Sequence, residues 1–224
     1  MANRYETGRE PIMSKQQPDR EQVPFWFDPL CPWAWVTSRW LLEVEQVRPV
    51  HADWRLMSLA HLNLVQRSGA GLSEEYRDLM EKAWGPVRVC AAAAEHASRS
   101  VLGPLYTAIG TRCHNQRRRD DPTVITEALA EVGLPDALVA AASSEEFDQL
   151  IRDSHDEAFN EVGLDVGTPV LRIGGTALFG PVIRQAPRGE AAGRLWDGLL
   201  LVARTEGFFE LKRSRDRSVK PCFD

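Results

Sequence analysis

A cysteine at the start of a helix is the most reactive feature of this sequence. Cys31 follows an apolar run and the break Asp28-Pro29, and Pro32 then opens a long helical pattern. The first turn of a helix has unpaired backbone N–H groups and the positive end of the macrodipole, so it favours an anion. Thiolate is the reactive form of cysteine, and such a position lowers the thiol pKa below its usual value of about 8.5. We therefore predict that Cys31 is a nucleophile.

Position 34 limits what that nucleophile can do. A dithiol redox motif would have a second cysteine there, but the sequence has Ala34. In a dithiol site one sulfur attacks and the other resolves the mixed disulfide internally. With alanine, the second step needs an external thiol, and we expect a longer-lived mixed disulfide. Because alanine also removes a thiol that could donate to the Cys31 thiolate, the pKa should be lowered less than in a dithiol site.

The residues around Cys31 predict a strand, a helix and a second strand. Residues 23–28 form a short aromatic run, residues 32–47 have apolar side chains at helical spacing, and residues 50–57 alternate between apolar and polar. A strand–helix–strand unit of this length places its two strands parallel.

The middle of the chain, residues 58–163, has only helical patterns. The predicted helix starts and stops are a cap at Ser73, openings at Pro86 and Gly103-Pro104, an opening at Asp121-Pro122 with a stop at Gly133, and a cap at Ser144. Strand patterns return at residues 170–173 and 176–179, which Gly174-Gly175 joins into a hairpin, and a last helix covers about residues 187–204. The predicted order is therefore βαβ, a helical insert, then ββα.

Composition narrows the setting in which this chemistry takes place. The chain has 224 residues, 43% of them hydrophobic, and a net charge of −5, which argues against nucleic acid as a partner. Residues 1–20 lack the apolar core of a signal peptide, and no stretch approaches the roughly 18 apolar residues of a membrane span. The four cysteines, at positions 31, 90, 113 and 222, show no metal-ligand pairing. We expect a cytoplasmic protein with reduced thiols, no membrane partner and no metal.

Six short blocks of the sequence resemble one family. They are FWFDPLCPW (25–33), WGPVRV (84–89), HNQ (114–116), VGTP (166–169), FGPV (179–182) and FFELKR (208–213). These blocks resemble the actinobacterial mycothiol-dependent nitroreductases, and the resemblance extends from residue 24 to the end of the chain. It implies an α/β thioredoxin fold of the DsbA-like form, in which an all-helical domain is inserted between the two halves. Ala34 departs from the family pattern at the resolving cysteine.

The resemblance also implies a domain division and a chemistry. The polar and charged composition of residues 1–22 predicts a disordered leader. In the resemblance, residues 23–57 and 164–224 would be the thioredoxin-like domain and residues 58–163 the helical insertion domain. The co-substrate would be mycothiol or another low-molecular-weight thiol. The substrate would be a small molecule, either a disulfide or a nitroaromatic or otherwise electron-poor compound. A mycoredoxin-like reductase would be a further partner.

Three motif residues carry over to the predicted site alongside Cys31 and its neighbour Pro32. Thr168 and Pro169 would form the cis-proline loop that faces the thiol in thioredoxin-like folds. Trp33 would be an exposed aromatic platform for an aromatic substrate, although a packed residue at the helix start is an equal alternative.

Four polar residues of the insert are further candidates for substrate or thiol binding. Asn63 and Tyr76 could each donate a hydrogen bond to a nitro or carbonyl oxygen, or could be ordinary surface residues. His114 with Asn115 could act in acid–base chemistry or contact the thiol co-substrate, although a lone helical histidine is more often packed. Core packing is the favoured interpretation of Cys90 and Cys113, and a resolving role for Cys113 stays open.

Ala34 leaves the type of reaction open. It is either an engineered trap of a native dithiol reductase or a natural change towards monothiol chemistry. The first hypothesis is a thiol-dependent oxidoreductase. The second is an isomerase or transferase similar to the kappa class, in which a thiol adds to a conjugated substrate and leaves again. The third is a non-redox binding module, which the retained Cys31-Pro32-Trp33 motif argues against.

Overall fold

A four-stranded mixed sheet joins the two parts of the chain that flank the helical insert. The computed structural model describes residues 20–214 and 218–223, and its strands are β1 (Glu21–Phe27), β2 (Val50–Leu56), β3 (Val170–Ile173) and β4 (Thr176–Phe179). Their spatial order is β2-β1-β3-β4. β1 and β2 are parallel, whereas β3 is antiparallel to both β1 and β4. The predicted parallel pair and the predicted hairpin are both confirmed.

Helices fill the connections of this sheet. They are α1 (Pro32–Val47), α2 (Glu74–Ala97), α3 (Leu102–Gly110), α4 (Val124–Glu131), α5 (Asp148–Val162) and α6 (Glu190–Ala203). Two π-helical turns, His61–Gln66 and Thr111–Asn115, and two 3-10 turns, Arg99–Val101 and Asp136–Ser143, complete the set among the described residues. None of these helices is long and apolar enough to cross a membrane. Residues 58–163 contain no strand, and their assignment to a separate domain stays a prediction.

Several predicted boundaries were wrong. β1 begins at Glu21, so residues 21–22 of the predicted leader belong to the sheet, and residues 1–19 lie outside the described part of the chain. Pro86 lies inside α2 and does not open a new helix. Its missing N–H removes one helical hydrogen bond. The buried side chains that follow it, Val87 and Val89, pack into the core and offset that loss.

Three later helices also begin or end away from their predicted signals. α4 starts at Val124 because the Asp121 carboxylate accepts hydrogen bonds from the N–H and hydroxyl of Thr123, which makes a turn before the helix. The hydroxyl of Ser144 accepts the Glu146 N–H in a similar turn, and α5 starts at Asp148. α6 covers Glu190–Ala203, three residues shorter at its start than predicted.

Aromatic side chains attach α1 and the insert to the sheet. The ring of Phe27 on β1 stacks on that of Tyr106 on α3, with centroids 3.9 Å apart. Trp35 on α1 meets the same Tyr106 edge-on at 5.5 Å. On the other side of α1, the indole N–H of Trp40 donates to the Ala192 carbonyl of α6 at 3.1 Å. These contacts fix the start of α1, and therefore Cys31, between the sheet and the insert.

Candidate active site

Cys31 is the N-cap of α1. Its backbone is extended, with φ −77° and ψ 114°, and its Sγ accepts a hydrogen bond from the Ala34 N–H at 3.5 Å. Pro32 follows at the first helical position, where proline lacks only an N–H that would be unpaired in any case. The local sequence therefore places a sulfur where the helix offers a backbone donor.

The Thr168-Pro169 loop lies against this sulfur. The peptide bond between the two residues is cis, and the Cys31 thiol donates to the Thr168 carbonyl over a sulfur–oxygen distance of 3.6 Å. The Thr168 hydroxyl donates to the Trp26 carbonyl at 2.9 Å, which ties the loop to β1. A second cis bond, Gly180-Pro181, was not predicted from the sequence. The structure thus brings together residues 137 positions apart in the chain.

Burial reverses the expected acidity of Cys31. The side chain is only 4% exposed. Burial raises the thiol pKa to about 12, although the Ala34 N–H lowers it and the nearby Asp28 charge raises it further. The predicted lowering of the pKa is therefore wrong for this arrangement, because loss of water outweighs the helix terminus. In the closed site Cys31 is a protonated thiol.

Asp28 is a site residue that sequence reasoning missed. It is fully buried, and its two carboxylate oxygens accept the Leu30 N–H at 2.9 Å and the Leu59 N–H at 2.8 Å. Burial raises its pKa to about 6, against the lowering effect of these hydrogen bonds and of Arg119. It lines a cavity of about 20 Å³ together with Leu30, Leu59, Leu79, Met80, Ala83 and Arg119. A charged residue at the end of an apolar strand was the signal that could have revealed it.

Trp33 is half-buried and packs against the hydrophobic core. The side chain is therefore less exposed than a free platform would be, and its role in substrate binding stays a prediction. Ala34 is fully buried beside it, and Pro32 is half-buried.

His114 and Asn115 hold the Cys31 loop and α1 in place. The His114 Nε2 lies 3.2 Å from the Pro29 carbonyl, and because a carbonyl only accepts, this nitrogen carries the proton. Burial lowers the pKa of His114 to about 4, so it is neutral near pH 7 and is not poised for acid–base chemistry. The Asn115 Oδ1 accepts from the Trp35 indole at 2.9 Å. Both residues act here as positioning residues.

Asn63 and Tyr76 differ in their access to the site. The Asn63 amide is 7% exposed, donates to the Leu59 carbonyl at 2.8 Å and accepts from Arg67 at 3.2 Å. These bonds within the insert occupy the amide. Tyr76, in the first turn of α2, is 37% exposed. Burial, followed by the charges of Cys31 and Asp28, raises the pKa of Tyr76.

The insert also contains a histidine cluster that sequence reasoning missed. His61, His155 and Asp156 place one ligand-type atom each within 4.8 Å of one another. The His155 Nδ1 accepts the Ser58 N–H at 3.4 Å, so its Nε2 carries the proton and donates to Gln66 at 3.0 Å. Both ring nitrogens are used, and this hydrogen-bonding pattern favours a structural role over metal binding. The hydrogen-bond partners of His155 lie 89 or more residues away from it in the chain, so residue spacing could not predict this cluster.

Two buried neutral histidines make the fold sensitive to acid. Burial lowers the pKa of His114 to about 4 and that of His155 to about 3, from 6.5. Below pH 6.5 the unfolded chain takes up these protons first, so stability falls as pH falls, by up to about 1.4 kcal/mol per pH unit for each histidine. Asp28 acts oppositely between about pH 6 and 4, because its raised pKa makes the folded state bind the proton first. The loss of stability caused by the two histidines therefore exceeds the gain caused by the one carboxyl group.

We therefore expect the free energy of unfolding in urea to decrease between pH 6.5 and pH 5. A His96→Gln variant is the matched control, since His96 is exposed on α2 and should leave this slope unchanged. Constant or rising stability over this interval would contradict the assignment of buried neutral histidines.

The family of the protein follows from sequence comparison over most of its length. The sequence pattern of the Rv2466c-like family, described as mycothiol-dependent nitroreductase Rv2466c, matches residues 30–213. The chain belongs to this family. The match includes Cys31 and the Thr168-Pro169 loop that faces it, and the predicted family resemblance is confirmed.

One relative matches the chain in sequence, and solved structures match its fold. The uncharacterized protein Rv2286c of Mycobacterium tuberculosis is 32% identical over 195 residues, which cover 86% of this chain and 82% of that protein. The cytosolic disulfide reductase DsbM of Pseudomonas aeruginosa, solved with GSH, is 20% identical with a TM-score of 0.51, over 80% of this chain and 99% of its own. A 2-hydroxychromene-2-carboxylate isomerase is 13% identical with a TM-score of 0.50, over 71% of this chain and 88% of its own.

The predicted fold class is confirmed: the chain has the DsbA-like thioredoxin fold. The family supports a thiol-dependent redox enzyme that uses a small thiol.

Proposed function

We propose that the protein is a thiol-dependent oxidoreductase in which Cys31 acts with mycothiol, or a similar small thiol, on disulfides or on nitroaromatic and other electron-poor compounds. The observation that carries this proposal is the position of one sulfur between the Ala34 N–H and the Thr168 carbonyl. The Ala34 N–H stabilises a thiolate, and the Thr168 carbonyl accepts a hydrogen bond from the resting thiol. Both groups face the only sulfur in the first turn of α1.

The mechanism needs two thiols because each reduction takes two electrons. The Cys31 thiolate attacks a disulfide sulfur and releases one small thiolate, which takes up the proton lost by Cys31. A second thiol then attacks the Cys31 sulfur of this mixed disulfide, and the remaining small thiolate leaves and takes up the proton of the second thiol. Position 34 offers no sulfur for this step, so the second thiol comes from elsewhere. The disulfide bond that forms between Cys31 and the second thiol supplies both electrons.

Activation of Cys31 requires that water or substrate reach its sulfur. Burial is the largest cause of its high pKa, and the buried Asp28 charge adds to it. A substrate that separates the sulfur from the Thr168 carbonyl leaves the Ala34 N–H as the donor to the thiolate. The closed site thus protects a resting thiol, and opening converts it into a nucleophile.

The insert supplies the facing wall of the cleft in this proposal, with Tyr76 as the polar group nearest to the substrate. We propose a cytoplasmic setting, where small thiols keep cysteines reduced. A mycoredoxin-like reductase is the proposed partner that recycles the thiol. Residues 58–163 would then move as a separate domain.

An isomerase is the second candidate, and Ala34 is the observation that favours it. Isomerisation by thiol addition and elimination transfers no net electrons, so it needs no second cysteine at the site. A conjugated substrate would then bind where the disulfide binds in the first proposal.

We expect a covalent adduct on Cys31 when the protein is incubated with mycothiol disulfide, and no adduct at position 31 in Cys31→Ser, as peptide mapping without reductant would show. Intact mass measurement detects the adduct, and Cys90→Ser is the matched control because that thiol is fully buried and should not change the result. An unmodified wild-type protein would refute both candidates. Turnover of a nitroaromatic compound against isomerisation of a conjugated enone then separates them.

A further inference from the structure

The C-terminal segment, residues 218–223, returns to the helix that carries Cys31. The Cys222 N–H donates to the Arg184 carbonyl at 2.7 Å. The carbonyl of the following residue, Phe223, accepts a hydrogen bond from the Asn115 side-chain amide. The Phe223 ring lies against the His114 ring, with centroids 5.5 Å apart. The segment therefore bridges the loop after β4 and the π-helical turn of the insert.

On the insert side, His114 and Asn115, the two residues that contact Phe223, also contact residues next to Cys31. His114 Nε2 donates to the carbonyl of Pro29, two residues before Cys31. Asn115 accepts from the indole of Trp35, one turn after Cys31. The amide of Asn115 thus bonds α1 with its oxygen and the C-terminal segment with its nitrogen.

On the sheet side, the loop that holds Cys222 is attached to the same helix. The carbonyl of Pro181, three residues before Arg184, accepts from the Thr37 hydroxyl of α1 at 2.7 Å. That hydroxyl lies 3.1 Å from the Trp33 carbonyl in the first turn. The C-terminal segment consequently lies beside the first two turns of α1, with an anchor on each side.

Cys222 is the accessible one of the three remaining cysteines. Cys90 is 0% exposed and Cys113 is 6% exposed, whereas Cys222 is half-exposed. Thiol–disulfide exchange depends on access of the attacking thiolate to the disulfide. Cys113 is therefore a poor candidate for the second thiol.

The backbone hydrogen bonds that hold this segment are individually weak. Two of its backbone anchors, the N–H of Cys222 and the carbonyl of Phe223, are hydrogen bonds worth about 1 kcal/mol net each. Segments held by few buried contacts open locally at a small cost in free energy.

We propose that Cys222 is the resolving thiol of this site and replaces the sulfur missing at position 34. The proposal rests on the proposed function, since it needs a mixed disulfide between Cys31 and a small thiol. The Cys222 thiolate attacks the Cys31 sulfur, the Cys31–Cys222 bond forms, and the small thiolate leaves and takes up the Cys222 proton. Over both steps one small-molecule disulfide is reduced to two thiols, and the two cysteines are oxidised to one disulfide.

The test follows the mixed disulfide over time with mycothiol disulfide as the probe. In wild type we expect a transient adduct that gives way to a protein lacking two hydrogens, with a Cys31–Cys222 link in peptides digested without reductant. In Cys222→Ser the adduct should persist roughly tenfold longer or more, because only external thiol can remove it. Cys113→Ser is the matched control and should behave as wild type.

Each other outcome gives a definite answer. An adduct of equal lifetime in wild type and Cys222→Ser, without the Cys31–Cys222 link, overturns the resolving role and leaves the proposed function intact. A link from Cys31 to Cys113 also overturns it. The absence of any adduct and any link in wild type refutes the proposed function and this inference together.

Discussion

Replacement of Gly110 by alanine should destabilise the protein by about 3 kcal/mol. Gly110 ends α3, where an added Cβ would lie 2.2 Å from the Cζ3 atom and 2.3 Å from the Cε3 atom of Trp35. Carbon atoms do not approach this closely, so either the indole or the helix must move. Trp35 lies one turn after Cys31, and its displacement would also disturb the site.

Movement of Trp35 would cost considerable free energy, because its ring has close neighbours on several sides. It is 2% exposed, with Tyr106 edge-on at 5.5 Å and His114 stacked at 5.7 Å. The Arg39 guanidinium lies 4.0 Å from its ring centroid, and its indole N–H donates to Asn115. Any movement breaks one of these contacts, so the strain stays in the core.

Gly198→Ala is the matched control for this substitution. Gly198 also lies in a helix, but an added Cβ there meets no atom within 4 Å. Alanine should therefore stabilise α6 by up to about 1 kcal/mol, through its better helix propensity. Urea denaturation of the three proteins measures both effects. Equal stability of the two variants would refute the close packing of Gly110 on Trp35.

Local patterns were sufficient to predict the sheet and the helices beside it. Along β2, the alternation of apolar and polar residues corresponds to the observed burial, with Val50, Ala52, Trp54 and Leu56 turned inward. Gly174-Gly175 has the positive φ values, 57° and 89°, that its hairpin turn requires. These features depend on neighbours in the sequence, so the sequence alone reveals them.

Contacts between distant residues explain what local patterns missed. The helix-start rule correctly placed Cys31, but its pKa depends on burial beneath the Thr168 loop and on Asp28, which no local rule includes. Pro86 has the signal of a helix start, yet it lies inside α2 because the helix packs on the core on both sides of it. The docking of Cys222 on Arg184 likewise has no counterpart in residue spacing.

In a protein that also carries Cys222→Ser, replacement of Ala34 by cysteine should shorten the lifetime of the mixed disulfide on Cys31 by roughly 100-fold or more, because the second thiol is then intramolecular and no longer external. The Ala34 N–H already lies 3.5 Å from the Cys31 sulfur, and residues three apart share one face of a helix. Position 34 is fully buried, so the added sulfur should cost about 1–3 kcal/mol of stability.

Ala34→Ser is the matched control, because it adds an atom at the same place without a redox-active group. Mass measurement after mycothiol disulfide treatment should show a disulfide between Cys31 and the introduced cysteine in Ala34→Cys. It should show a persistent adduct in Ala34→Ser combined with Cys222→Ser. The Cys222→Ser change should no longer affect adduct lifetime once Ala34→Cys supplies a second sulfur in the first turn. Equal lifetimes in the cysteine and serine variants would show that the first turn of α1 cannot form the disulfide. The missing sulfur would then not be what limits turnover at Cys31.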